Sequence, residues 1–315
     1  MPSIGLVQLE TPFVLAPMAG YGDPPFRRLC RRGGAGLVCA EMVSANALHY
    51  GDETSRRMLA VFPDEHPVCM QVFGSDPERL ASAARLAEEA GADLVDLNAG
   101  CPVPKVVKTG AGVRLMEDES LFGRCLQAMS KAVKVPVTVK MRLGFRGGEN
   151  AAARLAVVAR ESGAAAVFIH ARYRRDGHDG PPDLEGLALV AASAGVPVFG
   201  NGGVASAADA RRMMASGCAG VMVGRAAVGN PMIFLELSRA DGGTAGPEER
   251  FRLLREHAKL IVEYYGEVVG IPRFRKFVSS YVHSLRGAAE FRRRAVSAAR
   301  LEDLLSLVKE YEAGF

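Results

Sequence analysis

Asp93-Leu94-Val95-Asp96-Leu97-Asn98-Ala99-Gly100-Cys101-Pro102 reads as a short buried strand that runs into a turn. Leu94 to Leu97 is the strand-like run, and Pro102 lacks the backbone donor that a ladder needs, so Cys101 opens a turn at the strand's carboxyl end. In parallel α/β folds the connecting loops converge at that edge and ligands bind there. Alone, Cys101 reads as a small hydrophobe in a turn, because free cysteine usually behaves that way. The other strand ends along the chain point to more.

The same unit recurs: a short apolar or β-branched run, a loop of Gly, Asn or Pro, then a helical pattern. Eight runs read as strands: Phe13 to Ala16, Gly36 to Ala40, Val68 to Val72, Leu94 to Leu97, Val135 to Lys140, Ala166 to Ile169, Val196 to Phe199 and Gly220 to Val223. Pro77 to Ala90 and Ser206 to Ser216 read as helices, the latter with Ala207, Ala210, Met213 and Met214 at helical spacing. Strands alternating with helices imply a parallel sheet with right-handed crossovers. The length of the eight units predicts a closed (β/α)8 TIM barrel, near the ~250 residues usual for that fold. An open doubly wound sheet is the alternative.

Past the barrel the character changes. Asp241 to Pro247 is turn-rich, and residues 248–315 hold no β-run and read as amphipathic helices with Phe251, Leu254, Leu260 and Ile261, then Phe274, Phe277, Val278 and Tyr281, as apolar positions. The expected organisation is a catalytic barrel over 1–240, a linker over 241–247 and a small all-α domain over 248–315.

With 315 residues, 49% of them hydrophobic, the chain can bury a large core. Six cysteines (Cys30, Cys39, Cys69, Cys101, Cys125 and Cys218) stand without CxxC or Cys/His clustering, which indicates neither a disulfide framework nor a metal site and fits a reducing cytoplasm. No basic leader opens the sequence and no apolar run approaches the ~20 residues of a membrane span. The net charge of +4 does not demand a nucleic-acid partner. Residues 241–315 carry thirteen Lys/Arg against eleven Asp/Glu, with Arg273, Arg275, Lys276, Arg286 and Arg292-Arg293-Arg294 among them. That pattern suits either a solvated helical surface or contact with RNA phosphates.

The carboxyl ends of the eight strands collect polar and special residues on one rim: Ala16-Pro17-Met18-Ala19-Gly20, Glu41-Met42, Gln71, Asn98 with Cys101, Lys140 with Arg142, His170 with Arg172, Asn201-Gly202-Gly203 and Gly224-Arg225. This is the rim on which barrel enzymes build their sites. Gly200-Asn201-Gly202-Gly203-Val204-Ala205 matches a dinucleotide fingerprint in spacing but sits seventh in the series instead of first, with no acidic residue where the ribose contact belongs. It reads better as the barrel phosphate site built after strands seven and eight, with Arg225 adding charge-assisted hydrogen bonds. A single-phosphate socket, Lys140 and Gln71 at the axis and the small surface Ala16-Pro17-Met18 make FMN the natural candidate cofactor. Lys140 would stabilise the negative charge that a flavin gathers on reduction, and Cys101 would be available as an acid.

Several motifs carry a resemblance. Leu15-Ala16-Pro17-Met18-Ala19-Gly20, Gln71-Val72-Phe73-Gly74, Asn98-Ala99-Gly100-Cys101-Pro102 with Lys105-Val106 and Gly110-Ala111-Gly112, Val139-Lys140-Met141-Arg142-Leu143-Gly144, His170-Ala171-Arg172, Gly200-Asn201-Gly202 and Gly224-Arg225-Ala226 occur in this order. In combination they resemble the tRNA-dihydrouridine synthases, most closely the bacterial B-type branch, from about residue 13 to 290. The resemblance implies FMN-dependent reduction of the C5–C6 double bond of uridine in tRNA, with NADPH or NADH as electron donor. It implies Cys101 as the general acid at uracil C5. Ala16, Pro17, Met18, Gln71, Lys140, His170, Asn201, Gly202, Gly203, Gly224 and Arg225 would contact the cofactor. Asn98, Arg142, Arg172, Arg275 and Lys276 would contact the RNA, the last two from a helical RNA-binding domain.

The chain departs from the family pattern at Ala99, Gly203 and His178 and has no tryptophan. These differences bear on which RNA is used and leave the flavin site intact. Two further classes stay open on the sequence: a free-pyrimidine flavoenzyme, which would not need residues 248–315, and a protein that holds flavin without turnover.

Overall fold

The structure is a computed structural model that describes residues 1–146, 149–177, 180–239 and 245–315. Eight parallel strands close the barrel: β1 (Phe13–Leu15), β2 (Leu37–Cys39), β3 (Val68–Phe73), β4 (Leu94–Ala99), β5 (Val137–Gly144), β6 (Ala164–Tyr173), β7 (Val198–Asn201) and β8 (Gly220–Val223), and a two-residue strand, Val43–Ser44, also pairs with β3. Each pairs with its neighbour, and β8 returns to β1 through Val221 opposite Phe13 and Val223 opposite Leu15. The sheet is therefore closed, which establishes the (β/α)8 barrel and removes the open sheet.

All eight strands expected from the sequence are present, but β5 and β6 run further than the apolar runs suggest, to Gly144 and Tyr173. The cause is the two-residue alternation of strand side chains. Arg142, His170 and Arg172 take the inward positions of these extensions, in line with Lys140, while Met141, Leu143, Ala171 and Tyr173 face outward into the main core. The polar residues thus sit within the strands and not in loops after them.

A separate apolar cluster fills the lower barrel, with Val14, Leu37, Cys39, Leu94, Phe168 and Met222 among its members. Ile4 and Leu9 join it from an antiparallel hairpin of Ser3–Ile4 and Val7–Gln8. That hairpin packs at the amino ends of the strands, where Gly5 meets Pro136 and Ala165, and closes the barrel opposite the polar rim.

Helices Pro77–Glu89 and Ala207–Met214 form where the sequence predicts them, each entered through a side-chain cap, Asp76 and Ser206. The C-terminal segment is helical as expected: Pro247–Tyr265, Glu267–Tyr281, Ala288–Ser297 and Leu301–Glu312. Pro247 already opens the first of these, and Asp241 to Thr244 of the expected linker lie outside the described residues.

The helical segment docks on the helix Pro24–Arg32 that follows β1. Phe26 is fully buried there, with its ring centroid 5.7 Å from those of both His257 and Phe277. Arg32 pairs with Glu256 at 2.6 Å beside them. Burial drives the His257 pKa down to about 3, so it packs as a neutral ring. Phe26→Ala is expected to cost about 3–5 kcal/mol, the usual range for removing a buried phenyl ring. A urea titration checks this, and a loss below about 1 kcal/mol would show that this contact does not hold the two parts together.

Candidate active site

The alternation that fills the lower barrel with apolar side chains places polar ones in its upper half. Gln71, Asp96, Asn98, Thr138, Arg142, His170 and Arg172 are all buried at the carboxyl mouth. Cys101 sits on the rim above them and is the one partly exposed cysteine of the six; the other five are buried.

The turn that carries Cys101 is held from three directions. Asn98 Oδ1 accepts from the backbone N–H groups of Gly100 at 3.2 Å and Cys101 at 3.0 Å. Arg142 Nε donates to the Gly100 carbonyl at 3.0 Å, and its Nη1 reaches the carbonyls of Tyr173 and Gly177 at 3.1 and 2.7 Å. The Val113 N–H donates to the Cys101 carbonyl at 3.0 Å. Gly112, at φ +62°, allows this approach, since a Cβ there would stand 2.5 Å from the Cys101 carbonyl oxygen.

Below the turn runs a buried hydrogen-bonded chain. Thr138 Oγ1 donates to Asp96 Oδ1 at 2.7 Å, Gln71 Nε2 donates to Asp96 Oδ2 at 2.7 Å, and Asn98 Nδ2 donates to Gln71 Oε1 at 2.8 Å. Burial raises the Asp96 pKa to about 6 against the opposing pull of Gln71, Thr138 and the Lys140 charge. Burial and then the Arg142 charge lower Lys140 to about 8, so it carries its proton at neutral pH. Lys140 Nζ donates to Asn201 Oδ1 at 3.1 Å, and the Asn201 amide is oriented by donating to the Met222 carbonyl at 2.8 Å.

Across the mouth, Gly202 and Gly203 turn with φ of +129° and +70°. A Cβ on Gly202 would lie 3.2 Å from Arg172 Nη1 and 3.3 Å from the His170 ring. Arg172 Nη1 donates to His170 Nε2 at 3.0 Å, which makes that nitrogen an acceptor, and Nη2 and Nε both reach the Gly180 carbonyl, at 2.6 and 3.1 Å. Gly224 faces Met18 and Ala16, whose atoms would stand 3.6 and 3.7 Å from a Cβ there. Arg225 is exposed at the start of the next turn.

The residues picked out from the barrel sequence therefore converge on one mouth. Several of them have occupations that the sequence does not disclose; Asn98 and Arg142 in particular hold the Cys101 turn. Arg275 and Lys276 lie elsewhere, in the helical segment. Arg275 Nη2 donates to the Ala298 carbonyl at 3.1 Å, and Lys276 Nζ donates to the Gly20 carbonyl and lies over the Tyr21 ring. Asp96 and Thr138 were missed. Their signal was inward register: Asp96 stands two residues before Asn98, and Thr138 two before Lys140. His178 lies outside the described residues.

Fold and mouth together define a (β/α)8 barrel with a cysteine-bearing rim, an axial lysine and a glycine-and-arginine cradle. A family model for dihydrouridine synthase (Dus) matches residues 14–313. The tRNA-dihydrouridine synthase B of Pseudomonas syringae pv. tomato is 38% identical over 295 residues, covering 92% of this chain and 88% of that protein. A probable tRNA-dihydrouridine synthase of Rickettsia conorii is 38% identical over 299 residues, covering 93% and 90%. One from Mycobacterium tuberculosis is 36% identical over 319 residues, covering 96% and 82%. Among solved structures, that of TcOYE with pHBA shares the fold at a TM-score of 0.59 and 11% identity, over 79% of this chain and 94% of that one. The chain belongs to the dihydrouridine synthase family. Among the described residues, no helix is long and apolar enough to cross a membrane.

The buried carboxyl of Asp96 has a cost that can be measured. It holds its proton more tightly folded than unfolded, so stability present at low pH is lost as pH rises from about 4 to about 6 and stays lost at neutral pH. Asp96→Asn, which keeps an acceptor for Gln71, is expected to raise the unfolding free energy at pH 7 by an amount on the order of 3 kcal/mol. At pH 4 the gain should nearly vanish. Equal or lower stability of the variant at pH 7 in urea titrations would contradict this.

Proposed function

We propose that this chain reduces the C5–C6 double bond of uridine in tRNA to dihydrouridine, with FMN as its resident cofactor and NADPH as electron donor, in the cytoplasm. The observation that carries the reading is Cys101, seated by its turn on the mouth of a barrel whose axis holds Lys140, hydrogen-bonded to Asn201. Family membership and relatives named for the same reaction support it.

The donor set suits FMN. Backbone N–H groups at Gly202 and Gly203, with Arg172 beside both and Arg225 opening the turn after β8, would provide the partners that a phosphate needs. Gly224 with Ala16, Pro17 and Met18 offers a flat surface without bulky side chains, and Gln71, Lys140 and Asn201 provide polar groups at the axis. His170 would brace the phosphate end through Arg172. When bound, reduced FMN supplies a hydride to C6 of uracil.

Hydride addition at C6 leaves an electron pair spread over C5 and O4. The Cys101 thiol resolves it: its S–H bond breaks, a C5–H bond forms, and the thiolate takes a proton back from solvent. The turn limits the search for that geometry, because four backbone groups beside the sulfur are already hydrogen-bonded. Lys140 would supply positive charge to a reduced flavin held at the axis.

Uracil reaches this mouth only when extruded from the RNA stack, which costs a few kcal/mol and favours loop uridines. The exposed Arg175 and the partly exposed Arg174 beside the mouth, with Arg286 and Arg292-Arg293-Arg294 of the helical segment, would contact phosphates. On this reading residues 1–240 are the catalytic barrel and 248–315 the RNA-binding domain.

Cys101→Ala separates the two half-reactions. The variant should bleach its flavin with NADPH at near the parent rate, whereas reoxidation by tRNA should slow by roughly 10²–10⁴, the range for a general acid. Stopped-flow absorbance of the flavin follows both. Parental reoxidation by tRNA in Cys101→Ala would remove Cys101 from the chemistry.

A further inference from the structure

We propose that Asp96 is a positioning residue that sets the polarity of the hydrogen-bonded chain on which the Cys101 turn is built. The inference rests on the reading of Cys101 as the reacting thiol only for its functional meaning. The positioning itself is a property of the protein's own side chains.

The argument is one of donors and acceptors. Gln71 and Asn98 each carry an amide that offers a donor at one end and an acceptor at the other, and either can turn over without changing its shape. Nothing in their outline selects an orientation; their partners must. The Cys101 turn requires Asn98 to present its oxygen upward, because the two groups above it, the Gly100 and Cys101 N–H, are both donors. The Asn98 NH2 must then point down, where it needs an acceptor, and Gln71 Oε1 provides one at 2.8 Å. Gln71 consequently turns its own NH2 towards Asp96.

An ionised carboxylate only accepts. Asp96 Oδ2 therefore fixes the Gln71 amide, which fixes the Asn98 amide, which holds the turn. Thr138 donates to the other oxygen and keeps the carboxylate from rotating. Asp96 is 1% exposed and Gln71 2%, so water does not compete as an alternative partner for either. The carboxylate touches neither the turn nor the thiol, and acts on them through two amides.

An apolar residue at 96 leaves the lower end of the chain without an acceptor. Gln71 is then free to present its oxygen downward and its NH2 to Asn98, and Asn98 must turn over or lose its bond. In the turned state its NH2 faces two backbone N–H groups and the turn opens. An asparagine at 96 retains one orientation with an oxygen towards Gln71 and its NH2 towards Thr138 Oγ1, which can accept. The order of effect is therefore leucine large, asparagine small.

Cys101 thiol reactivity reads the turn directly and needs neither cofactor nor RNA. It is the one partly exposed cysteine, so the rate of alkylation by iodoacetamide, followed by peptide mass spectrometry, reports on it. Asp96→Leu should change the Cys101 alkylation rate at fixed pH by at least fivefold, while Asp96→Asn stays within twofold of the parent. Gln71→Leu, which breaks the same chain one link higher, should match Asp96→Leu, and it carries the test if Asp96→Leu does not fold. Rates within twofold of the parent in a cooperatively folded Asp96→Leu or Gln71→Leu protein would overturn the proposal. So would an Asp96→Asn rate equal to that of Asp96→Leu. Should Cys101→Ala keep full tRNA turnover, the functional reading fails while these rates still judge the positioning.

Discussion

A closed barrel of eight strands turns only every second residue inward, and this parity governs the molecule. In the lower half the inward positions are Val14, Leu37, Leu94, Phe168 and Met222, which pack with the N-terminal hairpin into a dry floor. In the upper half the same register delivers Gln71, Asp96, Asn98, Thr138, Arg142, His170 and Arg172 to one mouth. A shift of one residue in β4 would send Asp96 and Asn98 into the helix layer and bring Val95 and Leu97 to the axis. Site and core are therefore two halves of one pattern.

The site gives up stability for its chemistry. Burial holds Asp96 well above the usual carboxylate range and Lys140 well below the usual lysine range, so each resists the charge it would carry in water. The surrounding hydrogen bonds offset part of that cost, and the large outer core of helices supplies the rest. The docked helical segment extends this core through Phe26, Phe277 and His257. Lys276 carries the contact on to the Gly20 carbonyl, beside the Ala16-Pro17-Met18 surface, so the helical segment also braces one wall of the mouth.

The strands were legible because each begins with an outward and inward apolar run between Gly or Pro breaks. Their carboxyl ends were less so. Arg142, His170 and Arg172 look like loop residues in a one-dimensional pattern, and only sheet register shows that they continue β5 and β6. The rim residues are found by their position at strand ends and by resemblance; Asp96 and Thr138 stand level with Gln71 but lie inside the runs that read as apolar strands, so neither signal marks them. The hairpin at the amino end has two residues per strand, too short to give a period. Arg275 and Lys276 read as RNA contacts by resemblance; the bonds they make within the chain, to Ala298 and Gly20, come from segments far away in sequence, which no local pattern discloses.

The central claim is that this mouth acts on uridine within tRNA. The direct measurement is nucleoside mass spectrometry of an unmodified tRNA transcript incubated with the FMN-loaded protein and NADPH. The account predicts that uridine at defined positions gains two hydrogens and appears as dihydrouridine. Unchanged tRNA from a protein that reduces a free pyrimidine under the same conditions would contradict it.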